Sequence, residues 1–240
     1  MIKGIFLGTG SIPTKERCCQ GVLLEFNNNS VLVDCGEGIQ YQLLKSNMDL
    51  SKINSIFITH EHMDHVYGIG GVLILLLNKF HENVITLYAP AKVINIVKGI
   101  IDLFSINTHS RIEYVEISGG ETIERDSFVC STFKTYHTES SLGYCFQSEN
   151  KKIALLGDVA LPNIQAKEHI VNSIFEADLA VIDGVHITEI DAATIAMNSK
   201  IKSLYLMPIF LNKSEDNIIK EVNSIFNKVY IPKDLEKFKI

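Results

Sequence analysis

Three histidines, an aspartate and a glutamate fall within six residues of this chain, at His60-Glu61-His62-Met63-Asp64-His65. Neutral imidazole and carboxylate are the donors that zinc and similar divalent ions take, about four per ion at about 2.0–2.2 Å. His60 and His62 are two apart, so an extended backbone points both rings the same way. Asp64 and His65 follow where the nearby glycines Gly68, Gly70 and Gly71 predict a turn. Two ions could therefore sit side by side, one on each pair. Ions about 3.5–4 Å apart can hold a bridging hydroxide and clamp a phosphoryl oxygen. The cluster comes straight after the apolar run Ile56-Phe57-Ile58, so a strand must end by delivering it. A metal-dependent hydrolase is the function this arrangement favours.

Other polar residues recur at predicted strand ends. Asp34 closes Val31-Leu32-Val33, and His137 follows the strand through Phe133. Asp158 ends Leu156-Gly157-Asp158, while Asp183 follows residues 179–182 with His186 three positions later. Singly, each reads as a cap or turn residue. Together they fit a site built at the ends of sheet strands.

The elements that must place these groups are read from periodicity. Strands are predicted over 2–7, 22–26, 31–34, 53–58, 84–88, 112–117, 128–136, 143–147, 152–156, 179–182 and 203–207. Helices are predicted over 39–45, 66–80, 91–104, 164–175, 189–197 and 218–226. Asn27-Asn28-Asn29 marks a turn. Strands come first in hairpin-like runs and then alternate with helices, and both halves show this drift. The expected fold is α+β, a four-layer αββα sandwich of two mixed sheets flanked by helices. Its 240 residues are read as one domain, 1–240.

Composition narrows the class. The chain is 46% hydrophobic and 21% charged, as in ordinary globular proteins. A net charge of −6 works against a broad nucleic-acid surface. The longest apolar run, 72–77, is far short of the ~20 residues a membrane helix needs. The opening residues read as a first strand rather than a signal segment. Five cysteines (18, 19, 35, 130, 145) without C-x-x-C spacing suggest reduced thiols and a cytoplasmic location. Cys35 and Cys145 are expected in the core, and Cys18-Cys19 in a loop open to exposure.

These motifs carry a resemblance to the metallo-β-lactamase superfamily, and within it to the ribonuclease Z-like branch. Leu7-Gly8-Thr9-Gly10-Ser11 with Pro13-Thr14-Lys15-Glu16-Arg17 is similar to that branch's N-terminal signature. Asp34-Cys35-Gly36-Glu37-Gly38-Ile39-Gln40 resembles its second motif, and Thr59 to His65 the superfamily's H-x-H-x-D-H. His137 with Gly143-Tyr144, Gly157-Asp158 and His186-Ile187-Thr188 resemble the later motifs, so the likeness runs from residue 5 to about 210.

The resemblance implies roles. His60, His62 and His137 would bind a first metal, Asp64 and His65 a second, and Asp158 would bridge them. Asp34 would orient ligands from behind. His186 would protonate the leaving oxygen, oriented by Asp183, where the family more often has glutamate. Asp64 would also help position the attacking hydroxide. The implied chemistry is attack of a metal-activated hydroxide on a phosphodiester, with one or two zinc ions or manganese, in a homodimer. Lactam hydrolysis does not fit the branch-specific motifs.

Two departures bear on function. The branch's last motif ends in a metal-binding histidine, whereas here the strand reads Leu204-Tyr205-Leu206-Met207-Pro208, and no histidine follows His186. The second metal is expected to be weak or absent unless His186 or a neighbouring subunit supplies the ligand. Transfer-RNA-processing members also carry a long basic arm between the third histidine and the bridging aspartate. Here His137 and Asp158 lie 21 positions apart, and residues 143–156 read as a plain hairpin. A small phosphodiester such as a cyclic nucleotide is therefore the favoured substrate. A transfer-RNA precursor is the alternative, and a metal-binding protein with degraded catalysis the second. Lys15 and Arg17 are phosphate-binding candidates or solvated loop charges.

Overall fold

The computed structural model describes residues 1–27, 29–80, 84–108, 110–209 and 214–240. Asn28, the middle of the predicted turn, lies outside them. The chain gathers into two compact units, Met1–Ile117 with Lys233–Lys239, and Ser118–Pro232 with Ile240.

In the first unit the strands are β1 (Ile2–Gly8), β2 (Gly21–Phe26), β3 (Asn29–Val33), β4 (Ile53–Phe57), β5 (Ile85–Ala89), β6 (Ile112–Glu116) and the late strand β14 (Lys237–Lys239). They form one sheet in the order β14-β1-β2-β3-β4-β5-β6. Pairing is antiparallel from β14 to β3 and parallel from β3 to β6. The switch follows the connections. Parallel neighbours need a crossover, and here these carry α1 (Ile39–Lys45), α2 (Met63–Val66) with α3 (Ile69–Lys79), and α4 (Ala91–Leu103). Ile5, Leu23, Leu32, Ile56 and Leu87 of the sheet pack with Leu43, Val72, Leu76, Val93 and Val97 of these helices.

The second unit repeats the scheme. Its strands are β7 (Thr122–Arg125), β8 (Phe128–Lys134), β9 (Leu142–Ser148), β10 (Lys151–Leu155), β11 (Leu179–Gly184), β12 (Leu204–Ile209) and β13 (Val229–Tyr230). They run in the order β13-β12-β11-β10-β9-β8-β7. Strands β7 to β10 pair antiparallel and β10 to β13 parallel. The helices are α5 (Ile164–Ser173), α6 (Glu189–Asn198) and α7 (Glu215–Val222). Their N-caps Asn163, Thr188 and Ser214 accept from the N–H of Ala166, Asp191 and Asn217. Such caps contribute about 1 kcal/mol each. Ala154, Ile182 and Leu206 pack with Ile170, Ala192, Ile195 and Ile218. Two mixed sheets with helices are the elements the α+β reading called for.

Several predicted spans are corrected. The helix expected over 66–80 is two helices, broken at Tyr67-Gly68. Gly68 N–H turns aside to donate to Cys35 O at 2.8 Å. A side chain at Gly68 would meet Gly36 O at 2.1 Å, so glycine permits the close approach. Asp64 and His65 lie in helix α2, not in a turn. Helix α7 begins three residues before the predicted 218, because Ser214 caps it. Strand β12 runs on through Pro208. The short strands β7, β13 and β14 were not expected, since two to four residues give too few alternations to show a period. Among the described residues no helix is long and apolar enough to cross a membrane.

Candidate metal centre

The candidate residues divide between the units. Asp34, His60, His62, Asp64 and His65 belong to the first, and His137, Asp158, Asp183 and His186 to the second.

In the first unit, β4 ends at Phe57, and Ile58-Thr59-His60 continue from it into the cluster. Asp34 follows β3 with φ 62°, in the left-handed region, which turns its carboxylate back toward the end of β4. It accepts from Thr59 N–H at 2.8 Å and from the Thr59 hydroxyl at 3.0 and 3.1 Å. It also takes His65 Nδ1 at 2.7 Å. A carboxylate can only accept, so His65 carries its proton on Nδ1 and its lone pair on Nε2. This carboxylate behind an imidazole is the usual support of a metal-bound histidine. Thr59 Oγ1 also lies 3.0 Å from His60 Nδ1. The His60 ring centre is 4.6 Å from that of His62 and 4.1 Å from that of His65. His60 and His65 are fully buried, while His62 is exposed. Asp64 Oδ2 stands 3.6 Å from His65 Nε2.

The backbone that carries these groups is close-packed. Cys35 N–H donates to His65 O at 2.7 Å, and Gln20 N–H to Asp64 O at 3.1 Å. A Cβ at Gly36 would stand 2.2 Å from Asp64 O and 2.5 Å from Cys19 Cβ. The second motif is thus the bed on which helix α2 lies.

In the second unit, His137 lies just beyond β8, after Tyr136 at φ 62°. Its Nε2 is 3.5 Å from Asp158 Oδ2, and its ring centre 4.3 Å from that of His186. Asp183, fully buried at the end of β11, gathers four donors. Val185 N–H and His186 N–H reach Oδ1 at 2.7 and 3.2 Å. Val159 N–H and His186 Nδ1 reach Oδ2 at 3.0 and 2.9 Å. Asp158, Asp183 and His186 each offer one ligand atom within 4.8 Å of the others. Each unit therefore holds a buried carboxylate on the Nδ1 of a histidine beside further imidazole and carboxylate. That donor set fits zinc or a similar divalent ion.

Sequence reasoning missed three polar residues here. Thr59 shares the Asp34 carboxylate with His65. Gln20, buried, sets its Nε2 2.8 Å from His65 Nε2. Asp234 accepts from Thr9 N–H (3.0 Å) and Oγ1–H (2.7 Å), from Cys18 N–H (2.7 Å) and from Gln42 Nε2–H (2.9 Å). Their partners lie far off in the chain, except for Thr59 beside His60, which was the one readable signal. Arg17 is buried and donates to the Thr9 hydroxyl, so it braces the N-terminal loop rather than meeting solvent. Cys19 is buried as well, against the expectation of exposure. Burial pushes its thiol up to about 11, away from thiolate chemistry. Cys35 and Cys145 are in the core as expected.

A family profile described as Anti-Pycsar protein Apyc1 matches residues 2–220. A ribonuclease Z from Methanosarcina mazei is 33% identical over 149 residues, covering 60% of this chain and 48% of that protein. The chain thus spans about half the length of that relative. The solved human tRNase Z, short form, superposes with a TM-score of 0.81 at 25% identity, covering 99% of both chains. The metallo-β-lactamase fold protein YhfI from Bacillus subtilis gives 0.83 at 18% identity, over 99% of this chain and 98% of that one.

Proposed function

The chain belongs to the Anti-Pycsar protein Apyc1 family, in the ribonuclease Z-like branch of the metallo-β-lactamase fold, and from this we propose that it is a metal-dependent hydrolase of phosphodiesters, acting on a small substrate such as a cyclic nucleotide. The observation that carries the reading is the pair of carboxylate–histidine couples, Asp34–His65 and Asp183–His186. Both carboxylates are buried, and each orients one imidazole ring through its Nδ1. Purely structural histidines do not call for two such couples among five further imidazole and carboxylate groups.

In this proposal the two units are halves of a single hydrolase domain, 1–240. By the likeness to that branch, His60, His62 and His137 would hold one ion and Asp64 and His65 a second, with Asp158 shared between them. Zinc is the ion favoured by the donor set, with manganese the alternative. A divalent ion held there supplies an activated water and offsets charge on the phosphoryl oxygens. The protein's own part is positional. Asp34 keeps the His65 proton on Nδ1. Asp183 takes the Nδ1–H of His186 and so supports the doubly protonated ring, whose Nε2–H passes to the leaving oxygen and leaves the ring neutral. Asp64 helps to place the attacking water. The homodimer remains part of the proposal.

The small substrate rests on the link between His137 and Asp158. Strands β9 and β10 are joined by Glu149-Asn150 alone, with Lys151 paired to Ser148, so this stretch carries no basic arm. The similarity to ribonuclease Z favours a second reading, transfer-RNA 3′ processing. Pro208 in place of a ligand histidine favours a third, a metal-binding protein with degraded catalysis. Cyclic mononucleotides, linear dinucleotides and a precursor transfer RNA, each offered under zinc and under manganese, separate the three. Turnover of cyclic nucleotides, abolished by His62→Ala and strongly reduced by His186→Ala, is expected. Cleavage of the precursor alone selects the second reading. A metal-loaded protein inert toward every phosphodiester selects the third.

A further inference from the structure

Gln20 is held in place at both backbone ends. Its N–H donates to Asp64 O at 3.1 Å, and its O accepts from Gly36 N–H at 3.0 Å. Its side chain, in a residue only 2% exposed, ends 2.8 Å from Nε2 of the fully buried His65. The direction of that bond follows from the other face of the ring. His65 Nδ1 gives its proton to Asp34 at 2.7 Å, so the neutral ring has only a lone pair at Nε2. Of the two ends of a carboxamide, only the NH2 can meet a lone pair. That lone pair is the one a cation at His65 would need, and it cannot serve both.

We propose that the Gln20 carboxamide stands in for the second cation, keeping His65 buried and oriented without an ion, so that the chain is built to hold one ion tightly. The inference rests on the metal-centre reading above and deepens it. A buried imidazole lone pair left with neither ion nor donor carries a desolvation cost. Gln20 removes that cost.

The test is zinc titration of chelator-stripped protein against a chromophoric competitor, for the wild type and for Gln20→Leu. Leucine has nearly the same bulk and no donor. The wild type is expected to take one ion tightly and a second far more weakly. Gln20→Leu is expected to bind the second ion about fivefold more tightly, the worth of one net hydrogen bond, with the first unchanged. Gln20→Asn, which withdraws the amide by one methylene, should give the same shift if leucine disturbs folding. In the ion-free wild type, long-range ¹H–¹⁵N spectra should show His65 as the Nδ1–H tautomer. The Nε2 resonance should move when Gln20 is replaced. Two ions held equally tightly by the wild type would overturn the inference. So would second-site affinity that stays the same or falls in both variants. Failure of every protein to bind any ion would instead remove the metal-centre reading itself.

Discussion

Replacing Asp183 with asparagine exchanges one oxygen for an NH2 group and sets donors against donors. Oδ1 receives two backbone N–H groups, from Val185 and His186, and Oδ2 receives Val159 N–H and His186 Nδ1. With the new NH2 at Oδ1, two part-buried N–H groups lose their acceptor. With it at Oδ2, only Val159 N–H does, because His186 can move its proton to Nε2 and accept at Nδ1. The second arrangement is cheaper. One orphaned buried N–H costs about 1–3 kcal/mol, and turning charge-assisted bonds into neutral ones adds roughly 1 more. A loss of about 3 kcal/mol is therefore expected in urea unfolding at neutral pH. The His186 tautomer should switch in long-range ¹H–¹⁵N spectra. Turnover should fall by about 10²–10⁴, because the carboxylate no longer supports a protonated ring. A variant with stability within about 0.5 kcal/mol of the parent and His186 still protonated on Nδ1 would refute the reasoning.

Three further outcomes follow from other clusters. Burial alone raises the Asp178 carboxyl, but hydrogen bonds from Lys202, the Lys152 N–H and Lys151 outweigh it and hold the group below its usual value. Its contribution is then complete above the unfolded value of about 3.9 and is lost as pH falls through the lower folded value. Asp178→Asn should cost about 1–2 kcal/mol at pH 7, a gap that closes in acid denaturation below that window. Asp234→Ala removes four bonds to Thr9, Cys18 and Gln42. It should lower thermal stability by about 2–4 kcal/mol, and unchanged melting would count against the clamp. Gly36→Ala forces a Cβ to 2.2 Å from Asp64 O. Zinc binding at His62 and His60 should survive it better than any contribution from Asp64 and His65, as metal titration would reveal.

The site was legible where chemistry and chain proximity coincide. His60, His62, Asp64 and His65 are near neighbours, and an apolar strand announces them. Asp34 and Asp183 could be suspected because each directly follows a buried run. His186 was read as the partner of Asp183, three positions on, but the partner of Asp34 could not be read, since Asp34 meets His65 across 31 residues. Gln20 and Asp234 gave no signal at all. A glutamine in a loop and an aspartate near a short strand look like solvent-facing residues, and only the register of β1, β2 and β14 brings them inward. Gly68, Gly70 and Gly71 did signal a turn, but the exact break at Gly68 is set by its backbone bond to Cys35, which no local pattern announces. Ser214 did offer a readable cap with two acids after it, which would have placed α7 correctly.

The place of Asp234 also orders events during synthesis. A ribosome releases it only after residues Ser118–Pro232 of the second unit have been made. Until then the loop from Thr9 to Cys18 has no carboxylate to close on, and β1 lacks its neighbour β14. The first unit to begin is thus completed only after residues Ser118–Pro232 of the second have been made. A nascent chain stalled before residue 234 would carry a frayed sheet edge at β1, the kind of exposed template that chaperones cover.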